Sequence, residues 1–141
     1  MKRFHIHIAV NNLEENIRFY SALFGAGPVM SKTDYAKWML EDPCINFAIS
    51  TKSTKTGVDH VGIQVDSDDE LKEIDQRLNE ALLSAIEQKN AQCCYAASNK
   101  YWTVDPQGIA WEAFHSLTSI PTFGQDAEIP IKNESCCALQ K

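Results

Sequence analysis

Within the stretch 58–65, apolar and polar positions alternate from residue 60 onwards. Three branched apolar residues share one side of the extended chain, whereas His60, Gly62 and Gln64 share the other. A period of two predicts a half-buried β-strand. Because the second side carries an imidazole, a bare backbone and an amide, we interpret it as the wall of a site.

Residues 4–10 repeat this pattern. Four apolar residues lie on one side, and His5, His7 and Ala9 lie on the other. His60 follows His5 by 55 positions, and each strand leads into a helical segment that begins with polar residues. The chain therefore predicts two copies of one unit, each a strand, a helix and further strands.

Helical spacing and turn residues predict the remaining elements. Asn11–Asn12 offers an N-cap for the first helix, which Gly25 ends. The second helix is predicted at about 69–83, with Leu82 at the end of its apolar stripe. The predicted strands are 3–10, 29–31, 35–40, 45–50, 58–65, 85–97, 100–104 and 109–117.

Composition excludes several classes of protein. A chain of 141 residues with 44% hydrophobic and 23% charged residues is an ordinary globular domain, or two small modules sharing a core. The net charge of −6 argues against nucleic-acid binding. No run approaches the roughly 18 apolar residues of a membrane span. Met1 to Arg3 lead directly into a strand, so we expect no signal peptide and a cytoplasmic protein.

One carboxylate completes a candidate metal set. When the last strands of the two copies are matched, Glu112 falls opposite Ala48. His5, His60 and Glu112 then form a two-histidine, one-carboxylate set, which leaves open positions on a divalent metal and suits Fe(II). Glu112 would be the catalytic carboxylate. His7 rivals His5 because it lies on the same strand face, and three polar side chains in a wet cleft are the alternative explanation.

The five cysteines do not form a secreted disulfide framework. Cys93 and Cys94 are adjacent, as are Cys136 and Cys137, while Cys44 stands alone and is interpreted as a core residue. Neighbouring thiols can bind one thiophilic ion such as trivalent arsenic if the backbone bends there. Cysteine is also a small core hydrophobe, so the Cys93–Cys94 pair alone leaves both interpretations open.

These motifs are similar to those of a known superfamily. Residues 19–25, 58–66 and 111–112 resemble the vicinal oxygen chelate superfamily of glyoxalases, extradiol dioxygenases and bleomycin-resistance proteins. The Cys93-Cys94-Tyr95-Ala96 block, residues 99–106 and the Gly108 to Glu112 stretch resemble one branch, the organoarsenical carbon–arsenic lyases and cadmium-induced proteins. The resemblance covers residues 3–118.

The resemblance implies an α+β fold in which two βαβββ modules, residues 1–52 and 57–118, form a cupped mixed sheet around a metal site. Residues 119–141 would follow as a flexible tail. Cys136 and Cys137 lie outside the resemblance and either pass on As(III) or are idle. The modules either close one cup within a chain or pair across a homodimer.

The implied activity is Fe(II)- and O2-dependent cleavage of the carbon–arsenic bond in methylarsenite or trivalent aromatic arsenicals, giving arsenite. His5, His60 and Glu112 would bind the metal, and Cys93 and Cys94 would bind arsenic. Some relatives carry glutamine at the position of His5. The expected partners are the small organoarsenical and O2, without nucleic acid or membrane.

Three other functions remain open. An extradiol dioxygenase for catechols or a glyoxalase-like isomerase would not need the cysteine pair, and the isomerase usually needs a second carboxylate at the position of Ala48. A cadmium- or arsenic-sequestering protein would use the thiols without Fe(II) or turnover. A drug-binding module would not need the intact metal set.

Overall fold

The computed structural model describes residues 1–126 and 128–130. The elements run in the order strand, helix and three strands, and this order occurs twice, as the repeat predicts. They are β1 (Arg3–Ala9), α1 (Leu13–Phe24), β2 (Met30–Ser31), β3 (Tyr35–Glu41), β4 (Cys44–Ser50), β5 (Gly57–Val65), α2 (Asp68–Glu80), β6 (Ile86–Cys93), β7 (Ala96–Val104) and β8 (Ala110–Ser119).

The chain divides into two compact units after Gln64. β5 therefore counts with the first unit, although it opens the second copy in sequence order. The reason is its antiparallel pairing with β1, in which His5 lies opposite Gly62 and His7 opposite His60. The module boundaries at 1–52 and 57–118 remain a prediction from the sequence.

The sheet of the first unit has the order β2-β3-β4-β1-β5. β1 runs parallel to β4, which α1 makes possible as the crossover. The apolar stripe of α1 packs on a core that includes Trp38 and Phe47. Helix α1 begins at the N-cap Asn12, whose side chain accepts a hydrogen bond from the Glu15 backbone N–H, and it ends at Gly25 as predicted.

The second unit contains α2 and the strands β6, β7 and β8, with β7 between the other two. Helix α2 starts at the N-cap Ser67 and ends at Glu80, before the predicted end at 83. The prediction that Leu82 belongs to the core stripe is wrong, since its side chain is 93% exposed. Only Leu71 and Ile74 of this helix are buried.

A C-capping motif explains why α2 ends before residue 83. The backbone N–H of Leu82 donates to Asn79 O and that of Leu83 donates to Leu78 O, while Leu82 has a φ of 57°. This pairing is a Schellman motif, in which the left-handed position usually holds glycine. The chain therefore leaves the helix at Leu82, and the side chain turns away from the core.

The strand predicted over 85–97 is two strands. β6 pairs antiparallel with β7, and Cys93 lies opposite Ala96, which leaves Cys94 and Tyr95 as a two-residue hairpin turn. The prediction missed this turn because hairpins of this length usually carry Asn-Gly or Asp-Gly. The Cys-Tyr sequence contains neither.

The flexible tail predicted for residues 119–141 stays a prediction, and the structure describes its first part. β8 continues to Ser119. Beyond it, the backbone N–H groups of Ile120 and Asp126 donate hydrogen bonds to the β6–β7 hairpin. Ile129 is buried against Trp102 and Ala110. Ile120, Asp126 and Ile129 therefore each have a partner within the second unit. Cys136 and Cys137 lie outside the described residues.

Neither helix among the residues described is long and apolar enough to cross a membrane.

Candidate functional site

Two imidazoles meet in the first unit. His5 and His60 are buried on the neighbouring strands β1 and β5, and their Nε2 atoms lie 3.2 Å apart. Gly62 lies directly opposite His5 and has no side chain, so the His5 ring can lean diagonally toward His60. On β1 the face that carries His5 and His7 is more buried than the opposite face, where Phe4 is exposed.

Hydrogen bonds fix the tautomers of both rings. His5 Nδ1 lies 3.0 Å from the Asn46 carbonyl oxygen, and His60 Nδ1 lies 2.8 Å from Asp59 Oδ2. Both partners can only accept, so each Nδ1 carries the proton and donates it. In the neutral rings each Nε2 therefore presents a lone pair, and the two lone pairs face each other.

This arrangement fits a metal ion. Two lone pairs at 3.2 Å repel each other unless a cation is shared between them. Metal-binding histidines almost always donate the other ring N–H to a carbonyl or a carboxylate, as His5 and His60 do. The donor chemistry of the first unit is therefore that of two imidazole ligands aimed at one ion.

His7, the rival of His5, lies in the same region. Its Nε2 is 2.8 Å from Ser50 Oγ, and its ring packs edge-on against Tyr35. Ligand atoms of His7, Asp59 and His60 all lie within 4.8 Å of one another. Both histidines of β1 thus adjoin His60, but only His5 turns Nε2 toward His60 Nε2.

An acceptor without a partner adjoins this region. Asn46 is buried opposite His5 in the parallel register of β4, and its Nδ2 donates to Gln64 Oε1 at 2.8 Å. Asn46 Oδ1 has no hydrogen-bond partner within the described part of the chain. Because a buried acceptor is costly to leave unpaired, a water molecule or a ligand hydroxyl is its expected partner.

The thiols of the second unit converge at the hairpin turn. Cys94 and Tyr95 have φ values of 58° and 62°, and Cys93 Sγ lies 2.8 Å from Cys94 Sγ. A left-handed conformation costs a residue with a side chain roughly 1–2 kcal/mol. In a straight strand the two side chains would point to opposite faces, whereas the bend turns them toward each other. The structure therefore shows the backbone bend that two thiols need to bind one ion.

A buried ion pair involves the predicted carboxylate. Lys100 Nζ lies 2.6 Å from Glu112 Oε1, and the two side chains are only 5% and 7% exposed. Lys100 Nζ also lies 5.6 Å above the centre of the Trp102 ring. Burial acts to lower the pKa of Lys100, but Glu112 and the cysteines outweigh it, so the pKa is raised and the ammonium stays charged.

The pKa of the Cys94 thiol is raised well above its usual range. The largest cause is the hydrogen bond with Cys93, followed by burial, and the negative charge of Glu112 adds to both. The positive charge of Lys100 acts to lower the pKa of Cys94. Cys94 is therefore a neutral thiol near pH 7.

Two residues lie apart from these groups. His115 Nδ1 is 3.0 Å from Asp68 Oδ1 on the partly exposed side of the second unit. Cys44 is half-buried at the start of β4, with Sγ 3.7 Å from the Lys2 carbonyl oxygen, so it is not the core residue that we expected.

Sequence reasoning missed the roles of Asp59, Asn46 and Lys100. Asp59 directly precedes His60, and this adjacency was a usable signal for an orienting carboxylate. Asn46 reaches His5 only through the β1–β4 register, which the sequence does not encode visibly. Lys100 faces Glu112 through the β7–β8 pairing, in which the carboxylate lies beside Trp102.

Two relatives support the branch that the motifs indicated. A trivalent organoarsenical cleaving enzyme of Bacillus sp. (strain MD1) is 45% identical over 123 residues, covering 85% of this chain and 76% of the relative. The cadmium-induced protein CadI of Mycobacterium bovis is 33% identical over 125 residues, covering 88% of this chain and 82% of the relative.

A solved structure confirms the fold class. The anaerobic substrate complex of homoprotocatechuate 2,3-dioxygenase from Brevibacterium fuscum matches with a TM-score of 0.61 at 14% identity, over 84% of this chain and 37% of that chain. The fold is therefore α+β and of the vicinal oxygen chelate type. A family model matches residues 2–113, and the chain belongs to the glyoxalase/bleomycin resistance protein/dioxygenase superfamily.

Proposed function

We propose that this protein cleaves the carbon–arsenic bond of trivalent organoarsenicals such as methylarsenite and trivalent aromatic arsenicals, with Fe(II) and O2, and releases arsenite. The observation that carries this proposal is the convergence of Cys93 and Cys94 at a strained turn, beside the buried Lys100–Glu112 pair. The similarity to an organoarsenical cleaving enzyme supports the same substrate class.

The thiols bind the substrate by condensation. Methylarsenite, CH3As(OH)2, reacts with the Cys93 and Cys94 thiols to give CH3As(S-Cys)2 and two water molecules. Each As–O bond that breaks is replaced by an As–S bond, and each thiol proton leaves in water. The raised pKa of Cys94 is therefore no obstacle, because the neutral thiol supplies the proton that the departing hydroxyl needs.

His5, His60 and Glu112 would hold the metal. The paired Nε2 atoms of the two histidines supply two neutral ligands, and Glu112 supplies the negative charge that completes a set typical of Fe(II). A carboxylate has about four lone-pair sites, so Glu112 can accept from Lys100 and still serve as a ligand. When bound, Fe(II) would supply the activation of O2, the oxidant of the carbon.

Lys100 balances the negative charge of Glu112. Its ammonium lies against Glu112 and interacts with both cysteines. A buried carboxylate next to two sulfur ligands would otherwise be strongly disfavoured. Lys100 thus holds its proton at Nζ and keeps Glu112 ionised while the thiols are bound to arsenic.

Anaerobic loading with Fe(II), followed by methylarsenite and air, tests the proposal. Separation of the arsenic species should show arsenite over many turnovers, only when both iron and O2 are present. Stoichiometric binding without conversion would contradict the enzymatic proposal.

Sequestration of soft metal ions is the second candidate function. It is favoured by the thiol pair together with the similarity to a cadmium-induced protein. Cadmium binding at the thiols with no arsenite release in the same assay would establish it instead.

A further inference from the structure

Residues 120–126 contact the thiol turn from both sides. We call this segment the strap. It follows β8 and crosses the β6–β7 hairpin, where it touches Gln92, the residue before Cys93, and Tyr95, the residue after Cys94. The two cysteines thus lie between two residues that the strap holds.

The contact with Gln92 is a pair of hydrogen bonds. The Gln92 backbone N–H donates to Asp126 Oδ2, and the Asp126 backbone N–H donates to the Gln92 carbonyl oxygen, each at 2.9 Å. Gly124 approaches the same backbone so closely that an added Cβ would lie 2.1 Å from Gln92 O. The strap position therefore depends on glycine at 124, whose φ is 98°.

The contact with Tyr95 combines backbone and ring. The Ile120 backbone N–H donates to the Tyr95 carbonyl oxygen at 2.9 Å. The rings of Tyr95 and Phe123 meet edge to face, with centroids 5.7 Å apart. Tyr95 is only 8% exposed, so this packing fixes the side chain at the tip of the turn.

The turn needs such support because its own residues disfavour it. Cys94 and Tyr95 both occupy the left-handed region. Neither is a glycine or an asparagine, the residues that adopt this region at low cost. Any relaxation toward an extended backbone would move the two thiols apart, because neighbouring residues of an extended chain point to opposite faces. The β6–β7 pairing closes the hairpin, and the strap adds its contacts at Gln92 and Tyr95.

We propose that the strap is the positioning element of the thiol pair: Phe123, Gly124 and Asp126 hold the strained turn so that Cys93 and Cys94 face one arsenic atom. The proposal rests on the proposed function and deepens it, because it assigns residues that determine affinity for the trivalent arsenical without touching it. Preorganisation of this kind raises affinity by removing the ordering cost of binding.

Gly124→Ala tests the proposal, with Gly27→Ala as the matched control. An added Cβ at Gly27 meets nothing within 4 Å, whereas at Gly124 it collides with the Gln92 backbone. Phe123→Ala and Asp126→Ala, which removes the side-chain acceptor of the Gln92 N–H, serve as milder variants should Gly124→Ala fail to fold. The probes are methylarsenite binding to metal-free protein by anaerobic calorimetry, Fe(II) binding, and hydrogen exchange of the turn amides.

We expect strap variants to bind methylarsenite at least about tenfold more weakly. KM should rise while kcat at saturation changes little, Fe(II) affinity should stay unchanged, and the Cys94 and Tyr95 amides should exchange faster. A general folding defect would lower kcat and Fe(II) binding as well. Faster exchange at the turn with unaltered methylarsenite affinity would overturn the proposal.

The two proposals fail differently. Absence of methylarsenite binding by the wild-type protein would defeat the proposed function. The strap would then be judged by hydrogen exchange alone: unchanged protection of the turn in Gly124→Ala would overturn it, and lost protection would support it.

Discussion

His60 is positioned by its own neighbour. Asp59 Oδ2 accepts the His60 Nδ1 proton, and Asp59 Oδ1 accepts from Ser53 Oγ at 3.0 Å. The carboxylate is thereby held in place while it fixes the orientation and tautomer of the imidazole. A charged acceptor also raises the basicity of Nε2, which strengthens its bond to a metal.

We predict that Asp59→Asn weakens Fe(II) binding by about 10–100-fold, the range typical of a lost partner of a metal ligand. Anaerobic titration with Fe(II) measures the change. Asp69→Asn is the control, because the Asp69 side chain is 92% exposed in the second unit. Equal affinity of Asp59→Asn and wild type would show that Asp59 does not orient a ligand.

The two helices end through the same backbone conformation but with different residues. Helix α1 ends at Gly25 with a φ of 66°, and α2 passes through the same left-handed conformation at Leu82 with a φ of 57°. Glycine adopts this conformation without steric cost, whereas leucine does not. Leu82 is exposed, so its side chain gains no packing that would offset the strain.

Leu82→Gly should therefore stabilise the protein by about 0.5–1 kcal/mol, since relief of the strain exceeds the entropy that glycine adds to the unfolded chain. Gly25→Ala should destabilise it by about 1 kcal/mol through backbone strain alone, as an added Cβ there meets nothing within 4 Å. Urea unfolding measures both. A loss of stability in Leu82→Gly would refute the strain argument.

Each of the two compact units contains a different part of the proposed chemistry. The first unit holds the imidazole pair, and the second holds the thiols and the Lys100–Glu112 ion pair. Substrate binding by sulfur and metal binding by nitrogen thus depend on separate parts of the chain. Variants should be able to remove one without the other.

We predict that Cys93→Ser and Cys94→Ser lose methylarsenite binding and keep Fe(II) binding. Glu112→Gln, which leaves an acceptor for Lys100, should lose Fe(II) and activity together. Calorimetry with each ligand separates the two effects, and Cys44→Ser should behave as wild type. If both single cysteine variants cleave at the wild-type rate, the arsenic assignment is wrong.

Local patterns were enough for the element order, because alternation, capping residues and glycine act within a few positions of the chain. They located β1, β5, the start of each helix and the end of α1. They failed at Leu82 and at Cys94–Tyr95, where non-glycine residues take left-handed conformations. Such conformations are maintained by contacts from elsewhere in the chain, which local propensity does not report.

The pattern of the chain determined which residue types were available for chemistry: paired histidines at equivalent strand positions, a carboxylate on the last strand and adjacent thiols. Only the tertiary structure decided how they are used. The β1–β5 register brings the two Nε2 atoms together, the β7–β8 pairing places Lys100 on Glu112, and the strap maintains the bend that converges the thiols. Register and long-range packing decide such contacts because they join residues that are far apart in sequence.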